Sequence, residues 1–296
     1  MTIEQLRIFV AVATTLNMTR GAQSLGLTQS AASAAIAALE ARYATRLFDR
    51  VGRRVELTKA GQLFLDEAQA VLLRATIAEQ VFDDLAGLAR GTLHIHASQT
   101  IANYWLPPFM HRSRQLHPGI VLALTIGNTA QVTRAVIDGR ADFGFIEGEI
   151  DEPNLSLRTV ARDELMLVVG PQHAWAGLDK IEPAQLTETA WVMREKGSGT
   201  RSAFEAALPG LGVDVAKLDV ALELPSNESV RAAVEAGAGA TVTSHLVVDL
   251  GLRAKTLHHV ALTLPQRPFY LLQHSDRYRS HAHGAFLRLV DSAAKP

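Results

Sequence analysis

The residues best suited to chemistry fall into two groups. The first lies in MTRGAQSLGLTQSAASAAIAALE, Met18 to Glu40, where Thr28, Gln29, Ser30 and Ser33 stand beside Ala34 and Ala37. On a helix these side chains make one narrow polar face that fits a DNA major groove and its base edges. Arg50, Arg53 and Arg54 follow in RLFDRVGRRVELTKAG, placed for phosphate oxygens. The second group recurs at expected strand-to-helix junctions: Ser98-Gln99-Thr100, Gly127-Asn128-Thr129, Gly197-Ser198-Gly199-Thr200-Arg201 and Ser226-Asn227, with Ser244-His245 at a later strand end. Hydroxyls, helix N-terminal amides and Arg201 together suit a small anion: a carboxylate, a sulfur oxyanion or a phosphorylated metabolite. Glu147 would reject a multiply charged ligand or accept from its hydroxyls; a solvated strand end reads equally well. Helix capping alone accounts for any one of these Ser, Thr or Asn residues, so their recurrence carries the argument for a cleft.

Other chemistries find little support. Eleven histidines include the pairs His94/His96, His258/His259 and His281/His283, but no helical His/Glu pair or Cys accompanies them, so no metal site is expected. GSGTR lacks the Gly-Lys-Ser/Thr ending of a nucleotide P-loop, and no GxSxG elbow occurs. Without cysteine there is neither a disulfide framework nor a thiol switch. No cofactor is expected.

The elements that must position the first group are short helices. Thr19 is a candidate cap for a helix stopped at Gly26, and Thr28 caps a second in which Ala32, Ile36 and Leu39 form an inward stripe. An ordinary helical hairpin would leave the same pattern. The neighbours favour a helix-turn-helix: a capping box at Thr2/Gln5 opens a helix carrying Leu6, Phe9, Val10 and Ala13, and Val51-Gly52-Arg53-Arg54 reads as the tip of a β wing. Charge agrees with this. Residues 1–61 hold eight Lys/Arg against four Asp/Glu, whereas the rest holds 21 against 26.

Three segments, EQLRIFVAVA, LTQSAASAAIAALE and RLFDRVGRRVELTKAG, occur in order, and here the chain resembles the N-terminal winged helix-turn-helix of LysR-type transcriptional regulators. The likeness is dense over about the first sixty residues and looser beyond. Two departures stand out: Gly21 where the family mostly has Ala, which should loosen that helix slightly, and no Lys or Arg from Gln29 to Leu39, although many relatives place a basic residue near Ala34 and Ala37. Base reading then falls to Gln29, Ser30 and Ser33, with DNA shape supplying the remaining selectivity.

Residues 62–90 are expected to form a linker helix and hinge. Phe64, Ala68, Val71, Ala75, Ala78, Phe82 and Leu85 are spaced 4, 3, 4, 3, 4, 3, a heptad seam for pairing with a second copy, although packing on the chain's own body would also use it. Residues 91–296 alternate strands and helices as parallel α/β units do: lobe I at 91–161 and 268–296, lobe II at 162–267. The fold class is thus α/β with an all-α-rich winged head. The resemblance implies a two-lobed effector domain built like periplasmic binding proteins, with Ser98, Thr100, Asn128 and Ser198 to Thr200 lining its pocket. It further implies a cytoplasmic homotetramer, a dimer of dimers on double-stranded DNA bearing an interrupted inverted repeat, with RNA polymerase as a further partner. Two rivals are an enzyme on a two-lobed body whose N-terminal helices only dimerise, and a sensor that works without DNA. No apolar run is long enough for a membrane span.

Overall fold

The computed structural model describes residues 1–51, 54–85, 90–148 and 150–293. It divides into two compact units, one containing residues 1–86 and the other nearly all of the remainder.

In the first unit, α1 (Ile3–Thr15) opens on the expected capping box: Thr2 Oγ1 accepts from the Gln5 amide at 3.1 Å while Gln5 Oε1 accepts from the Thr2 amide at 3.0 Å. Helix α2 (Met18–Ser24) is capped by Asn17, whose Oδ1 accepts from the Arg20 amide; Thr19 lies inside the helix instead. Gly26 turns the chain at φ +69°, and Thr28 caps α3 (Gln29–Tyr43). Strands β1 (Phe48–Val51) and β2 (Arg54–Leu57) pair antiparallel as the wing. Long helix α4 (Lys59–Leu85) starts three residues earlier than expected, because Thr58 Oγ1 accepts from the Gly61 amide and donates to the Arg46 carbonyl. Buried Leu6, Phe9, Val12, Ala32, Ile36 and Leu39 form the core, and the Phe9 ring lies 5.4 Å from Phe48 and 5.0 Å from Phe64.

Gly21 has a tighter reason than helix looseness. A Cβ there would lie 2.7 Å from the Val12 Cα, so glycine lets α1 and α2 approach backbone to backbone.

The second unit contains two five-stranded sheets. Lobe I is built from β3 (Gly91–Ser98), α5 (Pro107–Leu116), β4 (Ile120–Gly127), α6 (Thr129–Ile137), β5 (Phe143–Glu147) and β6 (Leu155–Asp163). Lobe II holds β7 (Leu165–Val169), β8 (Ala190–Arg194), α7 (Gly199–Ala207), β9 (Asp219–Leu224), α8 (Asn227–Glu235), β10 (Ala240–Ser244), α9 (His245–Arg253) and β11 (His258–Val260). The chain then returns as β12 (Arg267–His274) and α10 (His281–Ala293).

The sheet orders are β4-β3-β5-β12-β6 and β11-β7-β10-β8-β9. Neither sheet is purely parallel. Strand β12 runs antiparallel to both β5 and β6, and β7 antiparallel to β10 and β11, because the two lobe crossings send the chain back against the preceding strands. Each sheet separates two apolar layers, as β5 shows: Phe143 and Phe145 join one cluster and Ile146 the other.

Candidate functional site

The exposed side of α3 carries Gln29, Ser30, Ala34 and Ala37, with Ser33 half-buried beside them. Gln29 Nε2 donates to Ser33 Oγ at 2.8 Å, and Thr28 Oγ1 lies 3.1 Å from Ser30 Oγ. Two side-chain pairs are thereby pre-oriented on one face, and both can exchange their internal bonds for base edges. The helix runs one turn past Leu39, so it does carry a cation: Arg42, whose guanidinium lies 5.6 Å from the Tyr43 ring centroid. Of the three wing arginines, Arg53 lies outside the described residues, and only the backbone of Arg50 and Arg54 is described.

In the second unit the expected strand ends do meet across the lobes. Gln99 Nε2 donates to the Pro225 carbonyl at 2.8 Å and its Oε1 accepts from the Asn227 amide at 2.9 Å. Asn227 Nδ2 donates to Thr100 Oγ1 at 3.1 Å, and Asn128 Nδ2 to Glu195 Oε1 at 3.2 Å. Thr129 Oγ1 donates to the Glu147 carbonyl, and the backbone of Gly199 packs so close to that carbonyl that a Cβ would sit 2.3 Å from it. Helices α6, α7 and α8 therefore all begin at the lobe interface. A groove of about 690 Å³ opens beside the starts of α6 and α7, with Thr129, Glu147, Gly197 and Gly199 among its walls; Thr100, Thr200 and Asn227 do not line it.

Behind these groups sits a buried charge cluster that was not foreseen. Arg267, 3% exposed, donates from Nε to Asp163 Oδ2 at 2.7 Å, with Nη2 in ion-pair contact with the same oxygen at 2.7 Å, and from Nη1 to Thr200 Oγ1 at 2.9 Å. Thr100 Oγ1 lies 3.5 Å from Arg267 Nη2, and Ser244 Oγ donates to Asp163 Oδ1 at 2.7 Å. Glu147, 2% exposed, places Oε1 3.8 Å from Arg267 Nη2, yet that oxygen has no hydrogen-bond partner among the described residues. Ser98 Oγ is likewise buried and unbonded, and Ser198 makes no side-chain cap bond. Buried polar atoms without partners are rare enough in native proteins to point to a missing partner.

Two expected ligand groups are elsewhere. Arg201 donates to Glu205, to Glu223 and to the Arg194 carbonyl. Burial lowers its pKa, but the two carboxylates outweigh that and hold the guanidinium above its ordinary range. Its partners among the described residues all belong to lobe II. His245 also turns away, 43% exposed at its side chain and 3.7 Å from Asp249 on its own helix. Arg194 and Glu195 form a second pair at the lobe interface; burial pushes the Glu195 carboxyl up, while Arg194 and Asn128 more than offset it and the net shift is downward.

Residues 3–62 match the model for bacterial regulatory helix-turn-helix proteins of the lysR family, and residues 86–295 match the LysR substrate binding domain. The chain belongs to the LysR family. It is 35% identical over 297 residues to the uncharacterized HTH-type transcriptional regulator YeiE of Escherichia coli K12, covering 100% of this chain and 99% of that one. Full-length CbnR complexed with its target DNA shares the fold at a TM-score of 0.73, with 20% identity over 99% of this chain and all of CbnR. The regulatory domain of CcmR from Synechocystis PCC6803, in complex with 2-PG, matches 70% of this chain and 98% of its own, at 26% identity and a TM-score of 0.64. This LysR protein is therefore a DNA-binding transcriptional regulator with a substrate-binding domain, and neither the enzyme nor the DNA-independent sensor is favoured. No helix among the described residues is long and apolar enough to cross a membrane.

The seam of the LysR linker helix needs revision at its first two positions. Phe64 and Ala68 are used by the head itself, Phe64 against Phe9 and Ala68 fully buried in that core. Val71, Ala78 and Phe82 remain exposed on α4, with Ala75 half-buried; the side chain of Leu85 lies outside the described residues. Leu63, 69% exposed, adds an apolar group that heptad counting from Phe64 left out. Arg267 and Asp163 were missed because their only local mark is a charge at the end of an apolar strand. The two lobe boundaries drawn from the sequence nevertheless fall within two residues of both.

Proposed function

We propose that the regulator senses a small, singly charged anion carrying hydrogen-bond donors, held between the lobes by Ser98, Thr100, Asn128, Ser198, Thr200 and Asn227, with Arg267 as its cation. The observation that carries this reading is the pair of buried oxygens without a hydrogen-bond partner among the described residues, Ser98 Oγ and Glu147 Oε1, the second of them 3.8 Å from the Arg267 guanidinium. The starts of α6, α7 and α8 add partial positive charge at the same place. Asp163 already neutralises Arg267, and Glu147 adds a further negative charge, so a multiply charged ligand is disfavoured while one that offers a hydroxyl to Glu147 is selected. That CcmR's regulatory domain holds 2-PG supports a small ligand in this kind of domain.

The division of labour follows. Residues 1–61 read DNA through α3 and the wing, residues 62–90 pair two copies through the exposed face of α4, and residues 91–296 bind the effector. A ligand that prefers one lobe arrangement shifts how paired dimers sit on an interrupted inverted repeat, and linkage makes DNA and effector affinities interdependent. The protein acts in the cytoplasm as a dimer of dimers, catalyses no reaction, and signals to RNA polymerase.

A thermal-shift series on the full-length protein tests the ligand class. Small hydroxylated monocarboxylates should raise the melting temperature in a concentration-dependent way, and Ser98→Ala and Thr200→Ala should each abolish the response. Stabilisation by apolar ligands alone, or a response untouched by both substitutions, would overturn the assignment.

A further inference from the structure

A second cavity, of about 500 Å³, lies in lobe I at the start of α10, and its lining is chemically one-sided. His117, Arg279, His281, His283 and Arg288 line it, and among the described residues no Asp or Glu does. The groove beside the cleft is the reverse, with Glu147, Asp151 and Glu152 against Arg134. Among the described residues no carboxylate lies within ion-pair distance of Arg279 or Arg288. Two exposed arginines at one concavity, without a carboxylate partner among the described residues, make the local potential positive and favour an anion there.

The surrounding structure holds this arrangement in place. Ser280 opens α10, its Oγ accepting from the His283 amide at 3.1 Å and its carbonyl from the Gly284 amide at 3.0 Å. The first turn of a 13-residue helix thus lines the cavity, and its dipole places partial positive charge there. An ideal Cβ on Gly284 would come within 3.4 Å of Arg288 Nη1, so glycine leaves room for that guanidinium to fold back one turn toward the helix start. His283 is held by Gln273 at 2.6 Å and forms a fixed wall.

We propose that this cavity is a second anion site, separate from the interlobe cleft, which takes a compact, multiply charged oxyanion of the phosphate-ester or pyrophosphate class. The lining fits a denser charge than the cleft accepts: Arg267 is already matched by Asp163, whereas Arg279 and Arg288 have no carboxylate partner among the described residues.

The test is calorimetric titration of the full-length protein with inorganic pyrophosphate at low ionic strength. Arg279→Glu/Arg288→Glu should weaken binding by about tenfold or more, since charge-assisted contacts become repulsions. Thr200→Ala in the cleft, and Arg253→Glu/Lys255→Glu on lobe II as a charge-matched control, should leave it within about twofold, as distant sites act independently. Arg279→Gln/Arg288→Gln is the milder variant should the reversal impair folding, and it should still weaken binding several-fold. An unchanged affinity in the reversal and Gln variants would overturn the proposal, as would loss with Thr200→Ala or an equal loss in the lobe II control. A drop in DNA affinity with pyrophosphate binding intact would also overturn it, by assigning the two arginines to DNA phosphates.

Discussion

The recognition helix and the interlobe cleft solve recognition in opposite ways. Helix α3 presents small, exposed groups, with its one cation, Arg42, in the last turn, and internal bonds such as Gln29 to Ser33 lie on its outer face. The cleft buries Arg267, Asp163 and Glu147 among hydroxyls from both lobes. A groove reader can work with local side chains on one helix, because the DNA supplies the opposing surface. A small-ligand site must build all its walls itself, and the proposed cleft joins residues more than one hundred positions apart.

That contrast can be tested by substitution, beginning with the cleft. Arg267→Met leaves Asp163 buried and unpaired, so chemical denaturation should show a loss of about 3–5 kcal/mol, with much of it recovered in Arg267→Met/Asp163→Leu. A loss below about 1 kcal/mol would mean that the cluster is solvated and the cleft no different from a surface.

Next is the acid sensitivity of lobe I. Burial, with Arg279 nearby, lowers the pKa of His283 from 6.5 to about 4, so the folded state keeps it neutral. Gln273 Nε2 can donate to its Nε2 only in that neutral state. The unfolded chain binds the proton more readily between those two values. This contribution is fully present above about pH 6.5 and is lost as pH falls toward 4, reaching about 3 kcal/mol. Denaturation midpoints across that window should flatten in His283→Gln; an unaltered slope would sink the assignment.

The head yields smaller effects. Gly21→Ala sets two rules against each other: helix propensity favours Ala by about 1 kcal/mol, while its Cβ would crowd Val12 and cost about 1–3 kcal/mol. The contact is with backbone, so net destabilisation is expected in a thermal melt; a stabilised variant would show that α1 and α2 separate easily. Smallest is Gln29→Ala, expected to relax base preference at one position per half-site by about 1 kcal/mol in a binding-site selection, with little loss of overall affinity. Uniform weakening across all sequences would instead make Gln29 a phosphate contact.

Most of the head was legible because its signals are local. The Thr2/Gln5 box, Gly26, Thr28 and the Ala32-Ile36-Leu39 stripe each depend on neighbours within a turn or two, and each occurs as read. Asn17 displaced Thr19 as a cap, and Phe64 and Ala68 went to the head core, since a heptad pattern records apolar spacing without naming the partner. In the body most strands and helices stand close to their expected positions, but β6, α9 and β11 were not anticipated. Of the residues expected at the cleft, Thr100 bonds Asn227 across the lobes, Asn128 bonds Glu195 and Thr200 accepts from Arg267, whereas Arg201 and His245 pair with carboxylates of lobe II.

By itself, then, the sequence determined the winged head, the long helix, the order of the α/β units and the family, all written in short-range periodicity, caps and motif order. Only the tertiary structure decided which charges meet. Arg201 and Arg267 look alike as letters; the first is neutralised by Glu205 and Glu223 within one lobe, while the second is carried by a lobe crossing into a buried cluster. Coulomb energy depends on distance and burial in three dimensions, and neither is encoded in the spacing of residues along the chain.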